Sequence, residues 1–368
     1  MEAAGVQVHA QDIPLATHVN DQPVAGEQPG GMATIDLIHT NPNILNQTDG
    51  LRERLNLQAP LRIGYWAWEL DTFPRGWDSG FKGLDQLWCP SNFCASSLGQ
   101  RSPIPVSAIP HLIDWERADT LFHQRKLLEN KPNGVFTCLF AFDLWSTTAR
   151  KNPEAVIDAF TEAFPRRSLA GTGQPEARLI LKVGSAEQFP ELHEQLQLRV
   201  TSDPRIKLIS KHLSRAALDR LYLEADVLVH LHRSEGFGLC MAEAMASGLP
   251  VVATAYSGNL DFMPLESAVL IPFTLTKNPR QAGDYPAGCT WAEPDVNYAA
   301  AALRHLAGDA GARERLAKRG RQAARTWLGR KRITSLVTQR LGCLLARAGR
   351  AELLAALPAG HPLRLLEG

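Results

Sequence analysis

The sequence predicts an α/β protein built of two doubly wound, Rossmann-like domains. Three observations carry that reading. From about Gly134 onward, short apolar runs alternate with longer helix-like stretches. Those runs are near-continuously apolar rather than alternating, as parallel strands are when both faces of their sheet are covered. The length of 368 residues suits two domains rather than one.

Taken in order, TIDLIHT, LRIGYWA and DQLWCPS read as strands of a first α/β unit. IPVSAIPHLIDWERA turns from strand-like and proline-bearing to polar, which places the domain boundary near His111 to Asn133. Beyond it GVFTCLFAF, RLILKV, RIKLIS, DVLVHL, PVVATA and AVLIPF read as strands, with helical spacing in NPEAVIDAFTEAF and SRAALDRLYLEA between them. PRRSLAGTGQPEA reads as an exposed loop. ITSLVTQRLGCLLARAGRAELLAALP reads as one or two amphipathic helices packed on the body, the other reading being a membrane-surface face carrying Arg340, Arg347 and Arg350. The expected domains are residues 1–120, residues 121–330, and a helical tail over 331–368.

Bulk composition narrows the function classes. The chain is 45% hydrophobic and 21% charged, as soluble globular proteins are. A formal net charge of +1 argues against bulk electrostatic binding of nucleic acid. No apolar run reaches the ~18 residues of a membrane span. MEAAGVQVHAQDIP lacks a basic stretch followed by an apolar one, so no signal peptide is expected. The six cysteines, Cys89, Cys94, Cys138, Cys240, Cys289 and Cys343, form no CxxC pair and have no histidine at zinc spacing, which predicts buried thiols in a reducing, cytoplasmic setting.

The chemistry concentrates in ADVLVHLHRSEGFGLCMAEAMASGLPVVAT, which reads as strand, glycine turn, helix, strand. Gly236 and Gly238 permit a sharp turn and close backbone approach to a ligand. Gly248 sits at the helix end and Pro250 blocks its continuation. In open α/β sheets ligands bind at the carboxyl ends of strands, and a helix N-terminus there suits a phosphate. Glu235 lies in the turn and Glu243 one turn into the helix, so both can face one cleft. Either glutamate alone is explained by about 0.3–1 kcal/mol of interaction with the helix dipole. That explanation leaves the glycines unaccounted for. Carboxylates accept paired hydrogen bonds from vicinal diols, and two diols with a diphosphate between them describe a nucleotide sugar.

SEGFGLCMAEAMASGLPVVAT resembles the E-x7-E signature of the retaining glycosyltransferases of GT-B fold (glycosyltransferase family 4, or group 1). The resemblance runs from about Leu37 to Leu341. It implies a GT-B fold, two Rossmann-like domains facing a cleft. It also implies that Glu235 binds donor-sugar hydroxyls near the reaction centre and that Glu243 binds the nucleotide ribose. Backbone N–H groups around Gly236, Phe237, Gly238 and Leu239 would face the sugar and diphosphate. YSGNLDFM, with Asn259, resembles the family's loop after the next strand, and WAEPD and GYWAWELDTFPRGW resemble segments of a bacterial subgroup.

FDLWSTTARKNPEAVIDAFTEAF adds an independent sign. Asn152 is a good N-cap and Pro153 suits the first helical position, which puts Arg150 and Lys151 at a helix N-terminus, the unfavourable end for cations. A bound anion would remove the conflict; a solvated basic pair is the plain alternative. By resemblance Lys151 binds the donor diphosphate. Many members carry an arginine five positions earlier; here that residue is Ser146, and Arg150 is the candidate substitute. Strand alternation puts His230 and His232 on one face, with His232 expected as the cleft residue and His230 as structural. In the first domain Glu69 is a candidate cleft residue, Trp68 and its neighbours Trp66 and Trp77 are either core or a sugar-stacking platform, and His39 is either structural or the family's cleft histidine.

The sequence departs from the resemblance at its start. Family members open with a strand, a glycine-rich loop and a helix, whereas MEAAGVQVHAQDIP reads as the end of that first helix and the second strand. GEQPGG lacks the strand-to-helix context, so the first domain is expected to be truncated. The function implied is transfer of a sugar, with retention, from a nucleoside diphosphate sugar to a hydroxyl of a glycan or lipid-linked glycan, in cell-surface polysaccharide synthesis. The enzyme would be cytoplasmic, with peripheral association at the inner membrane face left open. No cofactor or obligatory metal is expected, because no Asp-x-Asp motif stands in a suitable loop. The rival reading is a non-catalytic sugar-nucleotide-binding or scaffolding protein. A pyridoxal-phosphate phosphorylase relative is weaker, for want of a Schiff-base lysine.

Overall fold

Runs of buried, mostly β-branched or aromatic residues set the strands of both units seen in the computed structural model, which describes residues 7, 8, 10, 34–47, 55, 57, 59–127, 134–166 and 176–349. The chain divides into two compact units, residues 1–110 with 330–368, and residues 111–329. The division therefore falls at Pro110 and Gly329 rather than at 120 and 330, and the last helix belongs with the first unit. The opening residues and GEQPGG, apart from positions 7, 8 and 10, lie outside the described residues, as does most of PRRSLAGTGQPEA.

The first unit holds strands β1 (Ile35–Ile38), β2 (Leu61–Tyr65), β3 (Gln86–Cys89) and β4 (Val106–Ala108), with helices α1 (Pro42–Gln47) and α2 (Asn92–Gly99). The four strands are parallel and pair in sequence order. Ser91 caps α2 by accepting from the Cys94 N–H.

The second unit runs α3 (Trp115–Leu127), β5 (Phe136–Asp143), α4 (Thr148–Lys151), α5 (Pro153–Ala163), β6 (Ala177–Gly184), α6 (Pro190–Thr201), β7 (Ile206–Ile209), α7 (Arg215–Glu224), β8 (Val227–His230), α8 (Leu239–Ala246) and β9 (Val251–Thr254). It continues with β10 (Val269–Ile271), β11 (Phe273–Lys277), β12 (Thr290–Pro294), α9 (Val296–Gly308) and α10 (Ala310–Leu328). Six strands form a parallel sheet in the order β10-β9-β8-β5-β6-β7, and β11 pairs antiparallel with β12.

Alternate residues of that sheet enter two separate cores. Phe140, Leu181, Val229 and Val252 face α5, α6 and α9. Leu139, Ile180, Leu228 and Val251 face α3, α7, α8 and α10. This is the doubly wound arrangement, and it explains why these strands read as unbroken apolar runs. The six predicted strands are all present; the β11/β12 hairpin was not foreseen.

The last helix, α11 (Arg330–Arg347), lays Ile333, Val337, Leu341, Leu344 and Leu345 against Leu61, Ile63, Tyr65, Trp88 and Ile109 of the first sheet. No disulfide links the six cysteines; Cys89, Cys94 and Cys138 are buried and Cys343 is exposed. Among the described residues no helix is long and apolar enough to cross a membrane.

Candidate functional site: the loops at the ends of strands β5, β8 and β9

The strand order places β8 between β5 and β9, so the loops at their carboxyl ends meet. The loop after β8 carries Glu235. Its N–H donates to Ser257 Oγ at 2.8 Å, and its carbonyl accepts from the Gly258 N–H at 2.9 Å. The two loops approach so closely that a Cβ on Gly258 would fall 2.2 Å from the Gly236 carbonyl oxygen. Glycine is thus required at Gly258 by contact, and at Gly238 by a φ of +91°.

Glu235 is buried, at 5% exposure. The Lys151 ammonium donates to its Oε1, and Arg150 Nη1 lies 3.3 Å from Oε2 while donating to the Ser234 carbonyl at 2.9 Å. Burial pushes the carboxyl upward, but Lys151 and Arg150 outweigh it and hold the group well below the ordinary carboxylate range. Two capped turns deliver these cations. Thr147 caps α4 through the Arg150 N–H, and Asn152, left-handed at φ 55°, caps α5 through the Ala155 N–H. Arg150 and Lys151 therefore form the last turn of α4, and the conflict with the following helix N-terminus is settled by the protein's own carboxylate. Arg150 is 3% exposed and lies 5.6 Å from the Tyr285 ring, so the candidate substitute for the family arginine is an internal partner of Glu235.

Both histidines are buried, His230 at 1% and His232 at 0% exposure. His230 Nε2 lies 3.7 Å from Glu235 Oε1. His232 is fully buried, and its Nε2 sits 3.1 Å from the Tyr256 carbonyl and 3.2 Å from Asn259 Oδ1. His232 lies beyond the strand end, where alternation no longer governs, and its ring turns into the neighbouring loop. Its Nδ1 lies 3.1 Å from the His230 carbonyl oxygen and 3.0 Å from His230 Nδ1, so both ring nitrogens are engaged within the protein. Burial pushes both rings below their ordinary values. Asn259 is likewise buried and donates to the Thr254 carbonyl at 3.1 Å; it holds the loop rather than offering its amide outward.

Gly238 is the N-cap of α8, and no side chain caps that helix. Leu239, the first helical residue, is exposed at 45%. Phe237 packs between His111 and Phe262 at ring distances of 5.1 and 5.0 Å, so its side chain belongs to the core. Glu243 lies in α8. Arg117 Nη1 stands 3.2 Å from Glu243 Oε1, Arg215 Nη1 3.8 Å from the same oxygen, and the Tyr222 hydroxyl 3.5 Å from Oε2. Burial raises the Glu243 carboxyl above its ordinary value, with Arg117 the largest opposing influence.

The remaining predicted residues belong to the first unit. His39 stacks obliquely on Tyr65 at 4.4 Å, and burial lowers its ring pKa. Glu69 is half-buried. Trp66, Trp68 and Trp77 are at most 5% exposed and pack on one another, and Trp68 Nε1 donates to the Thr72 carbonyl at 2.8 Å. The tryptophans are core residues, not a stacking platform. Sequence reasoning missed Arg117, Asp219, Tyr222 and Tyr285, none of which stands in a local motif. WAEPD was singled out without a role for Glu293, whose carboxylate accepts from Arg233 Nε and Nη2 at 2.6 and 3.1 Å. Among the described residues no group of three or more His, Cys, Asp or Glu side chains could hold a metal ion.

Two parallel-stranded α/β units place the chain in the GT-B fold class, and solved structures agree. The sucrose-phosphate synthase of Thermosynechococcus elongatus superposes with a TM-score of 0.60 at 20% identity, covering 84% of this chain and 74% of that one. The Anabaena protein HepE, solved with UDP and glucose, gives 0.59 at 16% identity, covering 83% of this chain and 77% of that one. Residues 144–274, which span the loops just described, match the family model for group 1 glycosyl transferases. The mannosylfructose-phosphate synthase of Agrobacterium fabrum is 35% identical over 114 residues, 29% of this chain and 23% of that protein. The match thus spans about a quarter of that curated relative.

Proposed function

We propose that the protein is a glycosyltransferase that takes a sugar from a nucleoside diphosphate sugar and passes it to a hydroxyl acceptor. The observation that carries the reading is the convergence of Lys151, Arg150 and Glu235 beside the uncapped start of α8. A buried carboxylate held ionised accepts hydroxyl hydrogen bonds. An ammonium group and a helix N-terminus beside it stabilise the negative charge that develops on a departing diphosphate. The family match over residues 144–274 and the UDP bound in HepE support the same donor class.

In this reading Glu235 orients the donor sugar, and Glu243 accepts the ribose hydroxyls. Lys151 and the first N–H groups of α8 hold the diphosphate. The bond from the anomeric carbon to the diphosphate oxygen breaks as the bond to the acceptor oxygen forms, and the acceptor's proton leaves with the diphosphate. Catalysis comes from positioning and preorganised charge. Retention at the anomeric carbon, a glycan or lipid-linked glycan acceptor, and a place in cell-surface polysaccharide synthesis are the finer parts of the proposal. They rest on the E-x7-E resemblance.

Turnover of UDP-, GDP- and ADP-linked sugars, with and without hydroxyl acceptors, tests the reading. One donor is expected to lose its sugar faster when acceptor is present, and the reaction is expected to survive EDTA. Loss of transfer on chelation would overturn the metal-independent mechanism. A folded protein that turns over no donor would overturn the enzyme reading.

A further inference from the structure

Glu235 is held by residues adjacent to a recognised motif. Glu243 is held by a brace that no motif announces. Arg117, from α3, donates from Nε to Asp219 Oδ1 at 2.7 Å, and its Nη2 and Nη1 make ion-pair contacts at 2.6 Å with Asp219 Oδ1 and at 3.2 Å with Glu243 Oε1. Its guanidinium lies 5.4 Å from the centre of the Tyr222 ring, and the Tyr222 hydroxyl reaches Glu243 Oε2 and the Cys240 carbonyl at 3.5 and 3.4 Å. The Arg117 side chain is 11% exposed, whereas Arg215, the second cation on Oε1, is 62% exposed and stands farther off at 3.8 Å.

We propose that Arg117 is a positioning residue for nucleotide binding: clamped by Asp219 and by the face of Tyr222, it fixes the Glu243 carboxylate so that its open lone pairs receive the ribose hydroxyls. This rests on Glu243 being the ribose carboxylate. Each carboxylate oxygen has two acceptor directions. Arg117 stands against Oε1 as an ion-pair partner and the Tyr222 hydroxyl approaches Oε2, which leaves acceptor directions on both oxygens for a vicinal diol. Arg215 is the contact that a ligand displaces.

A purely structural salt bridge would give the same distances but a different pH response. The groups facing Glu243 are Arg117 from α3, Arg215, Asp219 and Tyr222 from α7, and the Cys240 thiol on its own helix. Without Arg117 the half-buried carboxyl loses its strongest charged support, and its protonation moves toward neutral pH.

The test is calorimetric titration of whichever of UDP, GDP or ADP the parent binds, from about pH 5.5 to 8.5, with thermal unfolding as the fold control. The parent is expected to show a flat profile over the upper part of that range. Arg117→Gln is expected to bind roughly tenfold more weakly at neutral pH, the loss of one charge-assisted contact, and to regain affinity as pH rises. Arg117→Lys keeps the charge but not the three-way grip; it is expected to bind more weakly with a flat profile. Parent-like affinity and profile in a folded Arg117→Gln would overturn the inference. If that variant does not fold, parent-like affinity in Arg117→Lys overturns it instead. A folded parent that binds none of the three nucleotides would sink the donor-site reading itself, which separates the two failures.

Discussion

Lys151 and Arg150 commit two cations to one buried carboxylate, and that commitment sets the stability of the loop as well as its chemistry. Replacing Glu235 with Gln leaves Lys151 and Arg150 facing a neutral amide inside the protein. Breaking a buried pair by removing one partner costs about 3–5 kcal/mol, and the variant is expected to unfold that much more easily at neutral pH. Because the folded carboxyl lies below its unfolded value, its contribution is fully present above about pH 4.3. It is lost as pH falls through the folded value. The gap between parent and Glu235→Gln, measured by chemical denaturation, should therefore hold steady from neutral pH down to that point and then close. A gap that widens in acid would contradict the pairing.

At the level of elements, the site depends on how α4 hands over to α5. Asn152 does two things: it accepts the Ala155 N–H and it adopts a left-handed conformation at φ 55°. Asn152→Ala loses the cap and strains the backbone, and should cost about 1–2 kcal/mol. Asn152→Gly loses only the cap and should cost less than Asn152→Ala. Equal losses in thermal unfolding would show that the backbone conformation contributes nothing. The start of α5 was legible in the sequence, because Asn-Pro before a helical pattern is a local signal; the short α4 before it was not. The strands were legible too, because their apolar runs report burial on both faces. What was not legible depends on contacts distant in sequence. Arg117 sits in the polar pattern WERADT and gives no sign of meeting Glu243. The placement of the His232 ring was not legible either, because alternation ends with the strand at His230 and the loop around Asn259 sets that ring. The sequence left Trp68 either core or platform, and its 3% exposure places it in the core.

For the whole molecule, the two units have separate cores, and α11 is joined to the first unit by packing rather than by sequence proximity. Ending the chain at Gly329 would strip Ile333, Val337, Leu341, Leu344 and Leu345 from the sheet that carries Leu61, Tyr65 and Trp88. Each buried aliphatic side chain of this kind is worth about 1.5–3 kcal/mol, so the first unit is expected to lose its cooperative transition in calorimetry while the core of residues 111–329 keeps its own. Two unchanged transitions would show that α11 is dispensable.

The central claim is that the turn between Glu235 and Glu243, with Lys151, forms a nucleotide-sugar cradle. The most direct measurement is a calorimetric screen of the full chain against UDP, GDP, ADP, their common sugars and the matching nucleosides, with Glu243→Ala and Lys151→Ala beside the parent. The account predicts selective binding of one nucleotide, weakened by Glu243→Ala whether or not phosphates are attached, and weakened by Lys151→Ala only when the diphosphate is present. A folded parent that binds none of these ligands, or binding that neither substitution alters, would contradict it.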